Sequence, residues 1–213
     1  VNDPIDIINS RVPIGVRSYF IPALTSSVSW VNDTVKNAIY LKDHEIVAKS
    51  AIGYLRNIAA QVAIKRVMKY HLPDTKCKEA SNNNRSFYFY EFLAENFMLT
   101  ISQVNYSRFP KEALYRNMLM SWAEPNLFSV SVDDFEQITP FILVTFGVNN
   151  GSLASAQLGI PIDDNGKTKW LGNRYIDLFK EPHLTTAQLP AAIIEEPKVE
   201  FLNTISEVLK DGQ

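Results

Sequence analysis

The chain is short of the residues that build compact chemistry. Of its 213 residues one is cysteine, three are histidine and eight are glycine. A single cysteine, Cys77, excludes an internal disulfide and any zinc site made from cysteine pairs. His44, His71 and His183 stand apart, without the spacing of a metal site. Neither G-x-x-x-x-G-K-[ST] nor G-x-G-x-x-G occurs, so no phosphate-cradling loop is written in the sequence. There is no G-x-S-x-G and no S-x-x-K set. No apolar run approaches the roughly 18–20 residues of a membrane span, and no signal-peptide pattern opens the chain. These absences favour a cytoplasmic protein, or one held within a virion or other macromolecular assembly. The first residue is valine, which reads as a processed or trimmed start.

What is present is a packed globule with uneven charge. Hydrophobic residues make up 46% and aromatics 11%, too much for a disordered tail. The net charge of −2 argues against general polyanion binding by the whole molecule. Residues 41–90, however, hold nine Lys/Arg against four acids, while 91–140 hold three against seven. The molecule has a basic flank and an acidic remainder.

The stretch Lys42–His71 organises the reading. On a helical wheel Val47, Ala48, Ala51, Ile52, Tyr54, Leu55, Ile58, Ala59, Val62 and Ala63 share one face. Lys49, Ser50, Arg56, Asn57 and Gln61 fall opposite. Asp43 suits the N-cap and Pro73 stops the helix. Past Ala63 the phase breaks. Lys65, Arg66 and Lys69 land on the apolar face, and Ile64, Val67 and Met68 on the polar one. The pattern predicts a bend or an end near Ile64, or a tip that leaves the core.

Around this stretch the sequence predicts an α+β fold dominated by helices. Pro4, Pro13 and Pro22 mark residues 1–29 as an extended apolar arm, and residues 30–213 read as one domain. Its helical part covers 30–123. A short helix over Trp30–Leu41 precedes the long one. An exposed loop covers Pro73–Asn84, a helix starts near Phe87, and another spans Pro110–Trp122. A small antiparallel sheet occupies 127–171, with strands at Leu127–Val132 and Phe141–Val148. A half-buried strand through Ile160 then turns at Asp163-Asp164-Asn165-Gly166 into a hairpin partner, Lys167–Leu171. Asn173–Lys180 reads as a short helix or turn, and a C-terminal helix covers 197–210.

Chemistry is sparse. Asp163-Asp164-Asn165-Gly166 resembles the front of a calcium loop, but the bidentate Glu further on is missing. Cys77 between Lys76 and Lys78 lacks a neighbouring base. Asp133, Asp134 and Glu136 cluster after a strand, where they cap or solvate. The least weak signal is basic: Lys65, Arg66, Lys69, Lys76, Lys78 and Arg85 fall within twenty-one residues, with Tyr70, Phe87, Tyr88 and Tyr90 among them or just after. Cations contact phosphates and aromatics stack on unpaired bases. The expectation is therefore a non-enzymatic structural or interaction subunit of a larger assembly, such as a viral coat, nucleocapsid, secretion or nucleoprotein component. Its partners would be copies of itself or other subunits, with RNA or single-stranded DNA on the basic segment, and no cofactor. The alternatives are a free single-stranded nucleic-acid-binding protein, or an enzyme with a dispersed site, of which a metal-dependent nuclease is the least unsuitable.

Overall fold

The structure, a computed structural model, describes residues 3–38, 45–81, 88–104, 120, 139–165 and 167–194. Three helices open it: α1 (Pro4–Arg11), α2 (Ile14–Arg17) and α3 (Phe20–Asn37). The long helix α4 (Glu45–His71) follows. Then come β1 (Lys76–Ser81), β2 (Tyr88–Leu93), β3 (Met98–Val104), β4 (Phe141–Asn149), β5 (Ser152–Asp164) and β6 (Lys167–Asp177). A 3-10 turn at Thr186–Gln188 and the short α5 (Ala191–Ile194) end the described chain.

Among the described residues the strands form one six-stranded sheet in sequence order. All neighbours are antiparallel except β3 and β4, which are parallel. A parallel pair needs a crossover connection, here through residues 105–140. The expected fold is corrected on this point. The sheet is six-stranded and mixed, and it is not a small antiparallel appendage to a helical body. The hairpin at 163–166 joins β5 to β6, with Asp164 opposite Lys167. The helix over Pro110–Trp122, the strand over Leu127–Val132 and the helix over 197–210 lie outside the described residues, Met120 excepted. Met120 is helical and buried.

Residues 1–29 are also corrected, because α1, α2 and most of α3 replace the extended arm. The prolines that suggested irregular chain sit where helices begin. Pro4 is the first residue of α1, Pro13 the N-cap of α2, and Pro22 lies in the first turn of α3. The first amides of a helix have no intrahelical acceptor, so a missing N–H costs nothing there. Asp3 caps α1 by accepting from the Ile5 N–H at 2.9 Å. Ile7, Ile8, Val12 and Val16 are buried in the main core.

The helix expected from Phe87 is two strands. Phe89, Leu93, Phe97 and Ile101 recur every fourth residue, but the chain turns between Ala94 and Phe97, where the Ala94 N–H donates to the Phe97 carbonyl. Tyr90 and Phe92 join the core on the helix side of the sheet, while Leu93 packs with Met98 on the other side. The loop expected at Pro73–Asn84 contains β1. The turn expected at Asn173–Lys180 is partly strand. Gly172 (φ 60°) and Asn173 (φ 55°) bend β6, which continues to Asp177.

The helices cover one face of the sheet. α4 packs on α3, β2 and β3, and α3 and α1 reach β5. Leu99, Ile101, Ile142, Val144, Phe146, Ala156, Leu158 and Ile160 face this layer. Met98, Phe141, Leu143 and Trp170 face the other way, where Met120 from the crossover meets them. Burial on both faces is why Phe141–Val148 reads as continuously apolar.

α4 runs unbroken to His71. At about 1.5 Å per residue its 27 residues span roughly 40 Å. The phase break at Ile64 has a simple cause. Between Asn57 and Met68 every residue but Lys65 is buried, because α3 and the sheet press on different sides of the helix. A helix enclosed from several directions need not keep one apolar stripe.

Candidate functional site: the basic flank and the open β2–β3 hairpin

The six basic residues singled out in the sequence do not share one surface. Arg66 is buried, and its guanidinium donates to the Ile193 carbonyl of α5 at 3.5 Å. Lys65 is half-buried, and its ammonium lies 4.8 Å from the centre of the Tyr90 ring. A cation over an aromatic face is attracted by the ring quadrupole. The Tyr90 hydroxyl in turn donates to Glu79 at 2.9 Å. Lys69 is exposed in the last turn of α4, beside Tyr70, which is 53% exposed. Lys76 and Lys78 are exposed on β1. Strand alternation sends them to the face opposite Cys77, which packs toward the helices. Lys78 pairs with Glu91 at 3.8 Å. Arg85 lies outside the described residues. The structure thus brings together Lys76 and Lys78 and, separately, Lys65 with Tyr90 and Glu79.

The C-terminal turn of α4 forms an aromatic contact with the α2–α3 junction. The His71 ring centre lies 4.2 Å from that of Tyr19 and 4.8 Å from that of Tyr70. Its Nε2 is buried with no hydrogen-bond partner among the described residues. Burial pushes the His71 pKa below its ordinary value of 6.5. The folded chain therefore holds fewer protons on this ring than the unfolded chain as pH falls through 6.5, so the neutral ring's contribution is full above that pH and is lost below it. Thermal unfolding followed from pH 7.5 to pH 5 should show a falling midpoint, and His71→Phe should flatten the part of that fall below pH 6.5.

The feature that sequence reading missed lies at Asn57 and Gln61. On the wheel they belong to the solvent side, yet they are only 4% and 2% exposed. Their surroundings follow from the β2–β3 hairpin. Ala94 and Phe97 close it, and Leu93–Met98 and Phe92–Leu99 pair next. The pairing then stops. By the two-residue period of an antiparallel ladder, the amides of Tyr90 on β2 and Gln103 on β3 still point across the gap. A continued ladder would bring the Ile101 carbonyl to Tyr90 and the Tyr88 carbonyl to Gln103. Instead the Tyr90 N–H donates to Gln61 Oε1 at 2.6 Å, and the Gln103 N–H donates to Asn57 Oδ1 at 3.4 Å. Two side chains one turn apart on α4 take the place of a strand. No motif signals this; a polar i,i+4 pair inside a long helix, flanked by buried residues, is the only trace.

The same period fixes the outer edge. The amides of Lys76, Lys78 and Ala80 face β2, and those of Glu79 and Ser81 face away from the sheet. Among the described residues no strand pairs with that side of β1. Among them, too, no group of three or more His, Cys, Asp or Glu residues is placed to hold a metal ion, and no helix is long and apolar enough to cross a membrane. No protein-family model, curated protein or solved structure matches the chain.

Proposed function

We propose that this chain is a structural or interaction subunit of a larger assembly, and that it binds an extended segment of a partner along β1. The outer edge of β1, where the Glu79 and Ser81 amides face away from the sheet and no strand pairs among the described residues, carries the proposal. An edge strand presents a row of unpaired backbone groups that can extend the sheet into another chain. Lys76 and Lys78 flank this edge on one face. Two copies joined β1 to β1 would set lysine near lysine, whereas a strand with acidic residues at alternate positions would be matched. Lysine also protects edges from indiscriminate pairing, so the same residues select against uncharged strands.

The test uses proline, which removes one backbone donor. Ser81 is exposed and its amide faces outward, so Ser81→Pro spares the β1–β2 ladder. Ala80→Pro removes an inward amide and serves as the damaging control. An acetylated, amidated octapeptide of alternating Glu and Val is titrated by calorimetry. Ser81→Pro should weaken its binding about tenfold, the equivalent of about 1.4 kcal/mol and of one lost hydrogen bond, with an unchanged melting temperature. Binding that is indifferent to Ser81→Pro removes the edge from the account.

Single-stranded nucleic acid is the second reading. Exposed Lys69 beside exposed Tyr70 favours it, since a cation next to an open aromatic face suits a stacked base and its phosphate. An oligonucleotide would bind with strong salt dependence and no sensitivity to Ser81→Pro.

A further inference from the structure

Arg56 carries a charge that no neighbour among the described residues answers. It is half-buried on α4, and burial pushes its pKa below the ordinary arginine value. A guanidinium stays protonated all the same, so a cation is held partly out of water. Among the described residues no carboxylate pairs with it or offsets the effect of burial. Charges withdrawn from water are normally paired.

The group is held in place. Its Nη2 donates to Asn32 Oδ1 at 2.5 Å, and Asn32 Nδ2 donates to the Gly151 carbonyl at 2.5 Å. This relay ties α4 through α3 to the turn between β4 and β5, where Asn150 (φ 48°) and Gly151 (φ 77°) are both left-handed. A Cβ at Gly151 would stand 3.3 Å from Asn32 Nδ2, so glycine suits the close approach. Nε is enclosed and has no hydrogen-bond partner, whereas Nη1 is neither bonded nor enclosed among the described residues. The guanidinium therefore meets solvent on its Nη1 side. A helical side chain lies over the turn before its own Cα. In that turn Gly53 has open space where a Cβ would stand.

We propose that Arg56 and the space beside Gly53 form a binding site for a carboxylate. Nη1 has two free N–H donors and Nη2 one, and a carboxylate accepts from such a pair through both oxygens. One guanidinium balances one carboxylate. A phosphate monoester, at about −1.5 to −2, would leave excess negative charge in a half-buried place. The site is built from α3, α4 and the β4–β5 turn, so it stands or falls separately from the β1 edge.

The experiment titrates the full-length, 15N-labelled protein with sodium acetate, sodium phosphate or sodium chloride at one pH and ionic strength, following the Arg56 Nε–H resonance. Acetate should move it to saturation in the millimolar range. Acetylated, amidated glutamate that binds more tightly than acetate would assign the occupant to an acidic side chain of a partner, and acetate binding as tightly would assign a free carboxylic acid; either supports the site. Gly53→Glu places a carboxylate one turn before Arg56 on the same side of α4, so it should fill the site from within and abolish the acetate response. Gly53→Gln has the same size without the charge and should keep the response. Both replace a glycine inside a helix with a good helix former, so both should fold. Gly53→Glu should also melt at a higher temperature than Gly53→Gln. A resonance that acetate moves no more than chloride does, that phosphate saturates at lower concentration, or that responds equally in Gly53→Glu overturns the proposal.

Discussion

Replacing Arg17 with alanine should cost about 2–4 kcal/mol of stability, reaching only the lower part of the range for removing one partner of a fully buried ion pair, because Glu181 keeps 22% of its side chain exposed. For a chain of this size that lowers the melting temperature by on the order of 10 °C. Arg17 is 4% exposed on α2. Its Nε donates to Glu181 Oε2 at 2.8 Å and its Nη2 to Glu181 Oε1 at 2.6 Å, a bidentate fork. Its Nη1 donates to the Val12 carbonyl at 2.6 Å. One side chain thus ties together α1, α2 and the segment after β6, which lie 164 residues apart in sequence at Arg17 and Glu181. Alanine leaves the Glu181 carboxylate and the Val12 carbonyl without their donor and opens the space the guanidinium filled. Lysine keeps the charge but not the planar fork, so Arg17→Lys should recover only part of the loss. The double variant Arg17→Met/Glu181→Gln should be milder than Arg17→Ala, because it strands no charge. Chemical denaturation of the three variants tests the order. Equal, small losses for all three would show that the pair does not hold the N-terminal helices to the body.

Gly159→Val should destabilise by about 3 kcal/mol, at the upper end of overpacking costs. A Cβ at Gly159 would lie 2.4 Å from Cε3 of Trp170 and 2.8 Å from Cδ2 and Cζ3. These are ring atoms of a rigid side chain that is 4% exposed and packed with Met98, Phe141, Leu143 and Met120. The β5–β6 register also shifts between Gly159 and Pro161, which seats the indole over the glycine. The ring has nowhere to retreat without displacing the second core. Gly159→Ala should do less harm than valine, and adding Trp170→Leu should restore part of the loss by opening room. Tryptophan fluorescence and a melting curve report both effects. A valine variant with wild-type stability would mean that the indole does not sit on Gly159.

How far the sequence announces this fold depends on whether an element is covered on one side or several. β4 and the β5–β6 hairpin are legible, since a continuous apolar run and an Asp-Asn-Gly turn have few other readings. The long helix is legible as a helix. A helical wheel misplaces its interior, because the wheel assumes one buried face and α4 is enclosed on several. The N-terminal helices were hidden by prolines that a helix accepts in its first turn. β2 and β3 were hidden by an accidental four-residue repeat across a hairpin turn. The basic cluster is real in sequence, but the fold divides it. Arg66 serves the core and Lys65 an aromatic ring, while Lys76 and Lys78 occupy the opposite face of an edge strand. Asn57 and Gln61 are illegible, because their partners are the backbone amides of strands 46 and 29 residues away respectively.

The proposed binding of a partner strand rests on the outer edge of β1, which no strand covers among the described residues. Amide hydrogen exchange at Glu79 and Ser81 tests it most directly. With no strand among the described residues bonded to them, these two amides should exchange orders of magnitude more slowly once the alternating Glu-Val peptide is bound, and fast in its absence. The inward amides of Lys78 and Ala80 should be protected throughout. Glu79 and Ser81 amides that are already protected in the isolated protein, or that exchange at the same rate with saturating peptide, would contradict the account.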